Sequence, residues 1–136
     1  MDLPEKLLLR EGLNKTPCRL DILRALMNSE TALSEIEIKA LLAFDYDRAT
    51  IFRTLRTFLD TGLIHSIPVD SGDVRYAITM KEQGCKKNFH AHFHCINCQK
   101  VVCLQDIRFN EPKLPGHFKP TFYSLVIDGY CEQCQE

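Results

Sequence analysis

Long apolar runs are missing from this 136-residue chain. The longest, ALLAF and LVI, fall far short of the roughly 20 residues a bilayer-spanning helix needs. The opening stretch, MDLPEKLLLREGLNK, is charged throughout and lacks the apolar core of a signal peptide, so the expected setting is cytoplasmic, with no membrane partner. An excess of charge is missing too: the formal net charge is -1, which points bulk electrostatics at no particular partner. Repeats and low-complexity segments are absent. So are the patterns H-E-x-x-H and H-x-E with P-C-x-x-C, which pair an open zinc position with a general base. The acid nearest to HAHFH is Glu82. A zinc hydrolase or deaminase is thereby excluded, and no catalytic residue is expected.

Cysteine is scarce in residues 1–80, which hold one, and concentrated in residues 81–136, which hold six. In a reducing compartment that argues for metal sites or reactive thiols over a disulfide framework. The shift in composition divides the chain into a first module over 1–80, a hinge over 81–88 and a second module over 89–136.

The first module reads as three helices and a hairpin. Pro17 suits a first helical turn behind Thr16. Ser34 and Glu37 form a capping-box pattern ahead of Ile38, Leu41 and Leu42. Asp47 can cap a third helix whose stripe is Ile51, Leu55, Phe58 and Leu59, and Gly62 ends it. LIHSIPV and VRYAIT then flank DSGD as two strands, with Pro68 marking the first as an edge. This is the layout of a winged helix-turn-helix, in which the third of these helices reads DNA. Its exposed side carries Arg48, Thr50, Arg53, Arg56 and Thr57, with no acid between Asp47 and Asp60. Guanidinium groups there can hold phosphates or bind guanine bidentately. Lys15 and Arg19 are placed to line the same face. Against this stands the ordinary reading of such arginines as solvated surface: residues 1–80 carry ten basic and twelve acidic side chains.

The second module reads as strands. FHAHFH alternates, which puts His90, His92 and His94 on one face. KVVCL and TFYSLVI read as further strands, and NEPKLPGHF between them is too rich in proline for a long helix. Cys95-Ile-Asn-Cys98 and Cys131-Glu-Gln-Cys134 are separated by 32 residues. Two such pairs give the four-sulfur coordination of structural zinc. A redox C-x-x-C is the rival for either pair alone. The histidines need a second site, since four thiolates saturate the first. His90 and His92 can converge on a separate ion, with Cys85 supplying a thiolate.

These stretches together resemble the ferric uptake regulator family, and within it the zinc uptake regulator branch. TPCRLDILRAL resembles its first long helix. DRATIFRTLRTFLDTGLI resembles its recognition helix, HAHFHCINCQKVV its H-x-H-x-x-C-x-x-C-G-K-V signature, and LVIDGYCEQC its closing strand and cysteine pair. The resemblance implies an α+β homodimer: an N-terminal winged helix on double-stranded operator DNA, then a small α/β dimerisation domain with a four-cysteine structural zinc site. It implies regulatory metal, zinc or another divalent ion, at His65, Cys85, His90 and His92, and repression of metal-uptake genes. Cys103 stands where iron and peroxide sensors often carry a carboxylate ligand, so it is an alternative thiolate to Cys85. Phe52 replaces a usual tyrosine. An iron- or peroxide-sensing repressor is the alternative within the same family.

Overall fold

The computed structural model describes residues 1–69, 72–79, 90–110, 112–120 and 124–135, and of His90, Gln105 and Arg108 the backbone only. The 81–88 hinge, Cys85 and part of the DSGD turn lie outside the described residues.

Four helices precede the hairpin, one more than the sequence pattern indicates. The extra one, α1 (Leu3–Arg10), starts at an Asp2 cap whose carboxylate accepts from the Glu5 N–H, with Pro4 in its first turn. The charges of this stretch face solvent while Leu7 and Leu8 are buried against the rest of the core. The three expected helices follow. In α2 (Pro17–Asn28), the Thr16 hydroxyl accepts from the Arg19 N–H. In α3 (Glu35–Leu41), Ser34 and Glu37 close the capping box in both directions. In α4 (Arg48–Thr61), Asp47 accepts from the Thr50 N–H at 2.8 Å. Each cap satisfies a backbone donor that the helix itself leaves orphaned. Gly62, at φ 77°, ends α4 in the left-handed conformation that glycine adopts without steric penalty.

The turn at Gly62 aims the chain into β1 (Ile64–Pro68), which pairs antiparallel with β2 (Val74–Ile78), Ile64 opposite Ile78 and Pro68 opposite Val74. Ile22, Leu23, Ile38, Ile51, Leu55, Phe58, Leu63 and Ile64 are buried as one core beneath the helices and this hairpin. The strong apolar stripe of α4 and its long buried phenylalanine make that helix the floor of the first module.

The second module is a three-stranded sheet in the order β4-β3-β5, built from β3 (His90–Cys95), β4 (Val101–Arg108) and β5 (Val126–Gly129). β3 is central, antiparallel to β4 and parallel to β5. β4 runs longer than KVVCL, and β5 begins later than TFYSLVI, whose residues 121–123 lie outside the description. Among the described residues no helix joins β4 to β5, in keeping with the prolines there.

Two adjacent residues stitch the halves together. The Leu33 N–H bonds to the Tyr76 carbonyl on β2, and the Ala32 N–H bonds to the Val101 carbonyl on β4 at 2.8 Å. A second small core of Ala32, Ile67 and Val101, flanked by Ala77, Cys103 and Val126, fills this junction. It positions the candidate site.

Candidate metal centres and DNA-facing helix

The end of β3 and the tail after β5 carry the two cysteine pairs. Cys95, Cys98, Cys131 and Cys134 bring their sulfurs within 4.8 Å of one another, with Cys98 and Cys131 at 3.9 Å. The edge of a tetrahedron with zinc–sulfur bonds of about 2.3 Å is about 3.8 Å, so the spacing suits a closed four-thiolate zinc site. The backbone is shaped for a thiolate at Cys95. The N–H groups of Cys98 and Cys131 point at the Cys95 sulfur, each at 3.5 Å, and together hold that thiol down at about 5. The four-cysteine cluster therefore fits a structural zinc ion, as the two C-x-x-C spacings indicate.

A second cluster lies where the halves meet. His92 on β3 and Cys103 on β4 are direct cross-strand partners, which places both side chains on one face of the sheet. His65 on β1 reaches across to them. Its Nε2 is 3.3 Å from the His92 Nε2 and 3.7 Å from the Cys103 sulfur. Its other ring nitrogen lies 3.3 Å from the Thr79 hydroxyl, a contact that fixes the ring's orientation. A tetrahedral ion with nitrogen legs of about 2.05 Å and a sulfur leg of about 2.3 Å sets a nitrogen–nitrogen edge near 3.3 Å and a nitrogen–sulfur edge near 3.6 Å. Both edges at His65 have those dimensions, and all three donor atoms lie within 4.8 Å of one another. Burial against an apolar cavity lined by Leu7, Leu26, Met27 and Ala77 accompanies a Cys103 thiol pushed up to about 11, so it is a neutral thiol until a cation displaces its proton.

Of the four regulatory ligands expected from the sequence, His65 and His92 are thus brought together, and Cys103 joins them. Cys85 lies outside the described residues. The backbone of His90 heads β3, paired with Arg108, and the register shifts between His90 and Ala91. The extra residues of that irregularity lie on β4, between Leu104 and Arg108, and β3 itself runs on without an insertion. His94, on the same strand face as His92, is 4% exposed. It is no surface residue: Nδ1 is 3.0 Å from the Asp128 carboxylate and Nε2 is 2.9 Å from the Gln99 side-chain oxygen.

Sequence reasoning passed over Arg75, a cation on β2 only 8% exposed. Its Nε donates to Asp73 at 2.9 Å, and its Nη1 donates to the Gln99 carbonyl at 3.0 Å and lies 3.7 Å from Glu37. Gln99 follows the first cysteine pair, where the signature has glycine, and takes φ 68°. That glycine position was the available signal that the backbone does something unusual there.

On the opposite side of the first module, α4 presents its polar face. Arg48 is 87% exposed and lies 3.6 Å from Glu35. Phe52 is 57% exposed, a large apolar ring held in solvent. Arg53 is exposed beside it, and Arg56 lies 3.9 Å from Asp60. Thr50, Arg53 and Thr57 line a shared groove with Thr16 and Arg19 at the start of α2. Lys15 is drawn toward Glu5 at 3.0 Å, and Arg19 donates to the Asn14 carbonyl at 2.7 Å. The face is a surface of cations and small polar groups with one exposed ring. No helix among the described residues is long and apolar enough to cross a membrane.

Comparison with known proteins gives this arrangement its relatives. The profile of the ferric uptake regulator family matches residues 10–114. The peroxide-responsive repressor PerR of Staphylococcus aureus (strain Mu50) is 32% identical, over 92% of this chain and 84% of its own length. Among solved structures, a zinc uptake regulator complexed with zinc and DNA superposes with a TM-score of 0.69 at 21% identity, covering 96% of this chain and 89% of that one. The Helicobacter pylori ferric uptake regulator Fur, described as having three functional metal binding sites, superposes with a TM-score of 0.65 at 21% identity over 99% and 95%. With a winged helix, a sheet module, a four-cysteine cluster and a family match over most of its length, this chain belongs to the ferric uptake regulator family of metal-responsive transcription regulators, which are not enzymes.

Proposed function

We propose that the protein is a zinc-responsive repressor of metal-uptake genes that binds double-stranded operator DNA as a homodimer in the cytoplasm. The winged helix over 1–80 reads DNA, 81–88 is the hinge, and 89–136 forms the dimer and holds structural zinc at Cys95, Cys98, Cys131 and Cys134. The observation that carries the choice of metal is the donor set of the second cluster. Two imidazoles and a half-buried thiol, at three corners of one tetrahedron, form a soft donor set that favours zinc over the carboxylate-seeking divalent ions. Cys85 and His90 are the candidates for the fourth position.

His65 belongs to the winged half, and His92 and Cys103 to the sheet half. Shared coordination would supply a bond between halves that otherwise meet through a few hydrogen bonds and a small core. Held at one angle, the dimer presents two copies of α4 to successive half-sites of a near-palindrome. Arg53, with Arg48, Thr50, Phe52, Arg56 and Thr57, faces the major groove, and Lys15 and Arg19 approach the backbone. Phe52 offers its ring to a thymine methyl.

To test this, duplexes are selected from a random pool with zinc-loaded protein, and affinity is measured with and without a chelator that spares the four-cysteine centre. Wild type should lose between about 5-fold and 150-fold, corresponding to 1–3 kcal/mol of coupling. His92→Ala and Cys103→Ser should bind one zinc per chain instead of two and lose the response. A variant that still responds fully to zinc overturns the reading.

The second reading, an iron- or peroxide-sensing repressor, is favoured by the 32% identity to a peroxide-responsive repressor. Iron recovered with the protein, together with release of DNA by peroxide and no response to zinc, would select it.

A further inference from the structure

We propose that Arg75 is a positioning residue that clamps the winged half onto the four-cysteine turn, so that the shape of that turn helps set the angle at which α4 meets DNA. Arg75 lies on β2, in the first module. Its guanidinium is buried, and its partners come from three separate places. Asp73 precedes β2 at the wing, Glu37 closes the α3 capping box, and the Gln99 carbonyl belongs to the turn that Cys95 and Cys98 open. The first two partners are carboxylates that neutralise the buried cation within its own half. The third is a backbone carbonyl from the other half.

That carbonyl is fixed in direction. Gln99 holds φ 68°, its side chain receives His94 at 2.9 Å and donates to the Ile96 carbonyl at 3.0 Å, and His94 is tied in turn to Asp128 on β5. The Cys95 carbonyl accepts the Gln99 N–H at 2.9 Å. The chain from β5 through His94 and Gln99 to Arg75 is continuous, and its middle is part of the cysteine turn. Only a planar guanidinium reaches three directions at once with its charge permanently held.

Arg75 also sits apart from the His65 cluster. Ala77 pairs with His65 and Arg75 pairs with Ile67, so the two ties are two residues apart along the hairpin, about 7 Å. Among the described residues, the Ala32 bond to Val101 and the small core around it also hold the halves together without regulatory metal. Integrity of the four-cysteine centre then matters to DNA binding through Arg75 as well as through folding of the sheet.

Hydrogen exchange tests the clamp at one zinc per chain, when only the four-cysteine centre is filled, so the result does not depend on how the His65 cluster is read. Two neighbouring amides serve as reporters. The Ala32 N–H bonds across the junction and the Leu33 N–H bonds within the winged half. In Arg75→Lys, zinc content should be unchanged and Ala32 should exchange at least tenfold faster while Leu33 stays as in wild type. Cys134→Ser should accelerate Ala32 by a similar factor, and the double variant should add little to either. An unchanged Ala32 rate in Arg75→Lys, or fully additive effects in the double variant, overturns the proposal. If Arg75→Lys fails to fold, wild type stripped of its zinc replaces it. There Ala32 must outpace Leu33, and equal acceleration of both, which reports general opening, overturns the clamp.

Discussion

At the scale of single residues, the decisive position is Cys103. Paired with His92 across two strands and reached by His65, it makes the cluster soft. Cys103→Asp should weaken zinc binding by at least tenfold and improve manganese or ferrous binding relative to it, measured by competition with a chromophoric chelator. Another residue gives a pH test. Burial, and then the hydrogen bond to Asp21 at 2.7 Å, push the Tyr46 phenol up to about 12. The folded chain favours the protonated phenol, so this contribution to stability is complete below pH 10, the ordinary value, and fades as pH climbs from 10 to 12. Urea unfolding across that window should show a smaller loss for Tyr46→Phe than for wild type. How much of the site was legible follows residue type. The four thiols and His92 declared themselves by spacing. Thr79, Arg75 and Asp128 did not, because nothing in a sequence shows which distant hydroxyl, guanidinium or carboxylate a fold brings to a histidine or a carbonyl. That Cys103 lies with His65 and His92 also needed register, since only the β3–β4 pairing sets it opposite His92.

Among elements, α4 bears both a core stripe and an exposed cationic face. Phe58→Ala, at a fully buried position, should destabilise by about 3–5 kcal/mol. Gly62→Ala, at φ 77°, should cost about 1 kcal/mol. Both are read as shifts in urea midpoint with the slope unchanged. Helices α2, α3 and α4 were readable because caps, stripes and stops agree, each at its own period. Helix α1 was not, since its run of three leucines has no helical rhythm and its charges suggest an exposed tail. Only packing against the remaining core reveals that Leu7 and Leu8 are inside. Strand β3 was readable from its alternation, whereas the irregularity in its partner β4 between Leu104 and Arg108 was not, since side-chain pattern does not encode register.

For the whole molecule, net charge hides a local concentration, because Arg48, Arg53 and Arg56 are gathered on the exposed side of α4. Binding to operator DNA should still weaken with salt. Arg56→Ala should flatten the slope of log K against log salt by about 2 per dimer, one phosphate contact per protomer, with little change in sequence preference. The stitch at Ala32 and Leu33 has a mechanical meaning here. Neighbouring peptide groups grip two different sheets, which makes this dipeptide the axle of the molecule, with α4 as its outer arm. A helix of fourteen residues is about 21 Å long, so a tilt of about 5° at the axle sweeps its far end by about 2 Å. Half-sites one helical turn apart lie at a fixed distance of about 34 Å, and two arms each displaced in this way can no longer straddle both. Small rotations at this backbone pivot should therefore be read out as a change in operator affinity.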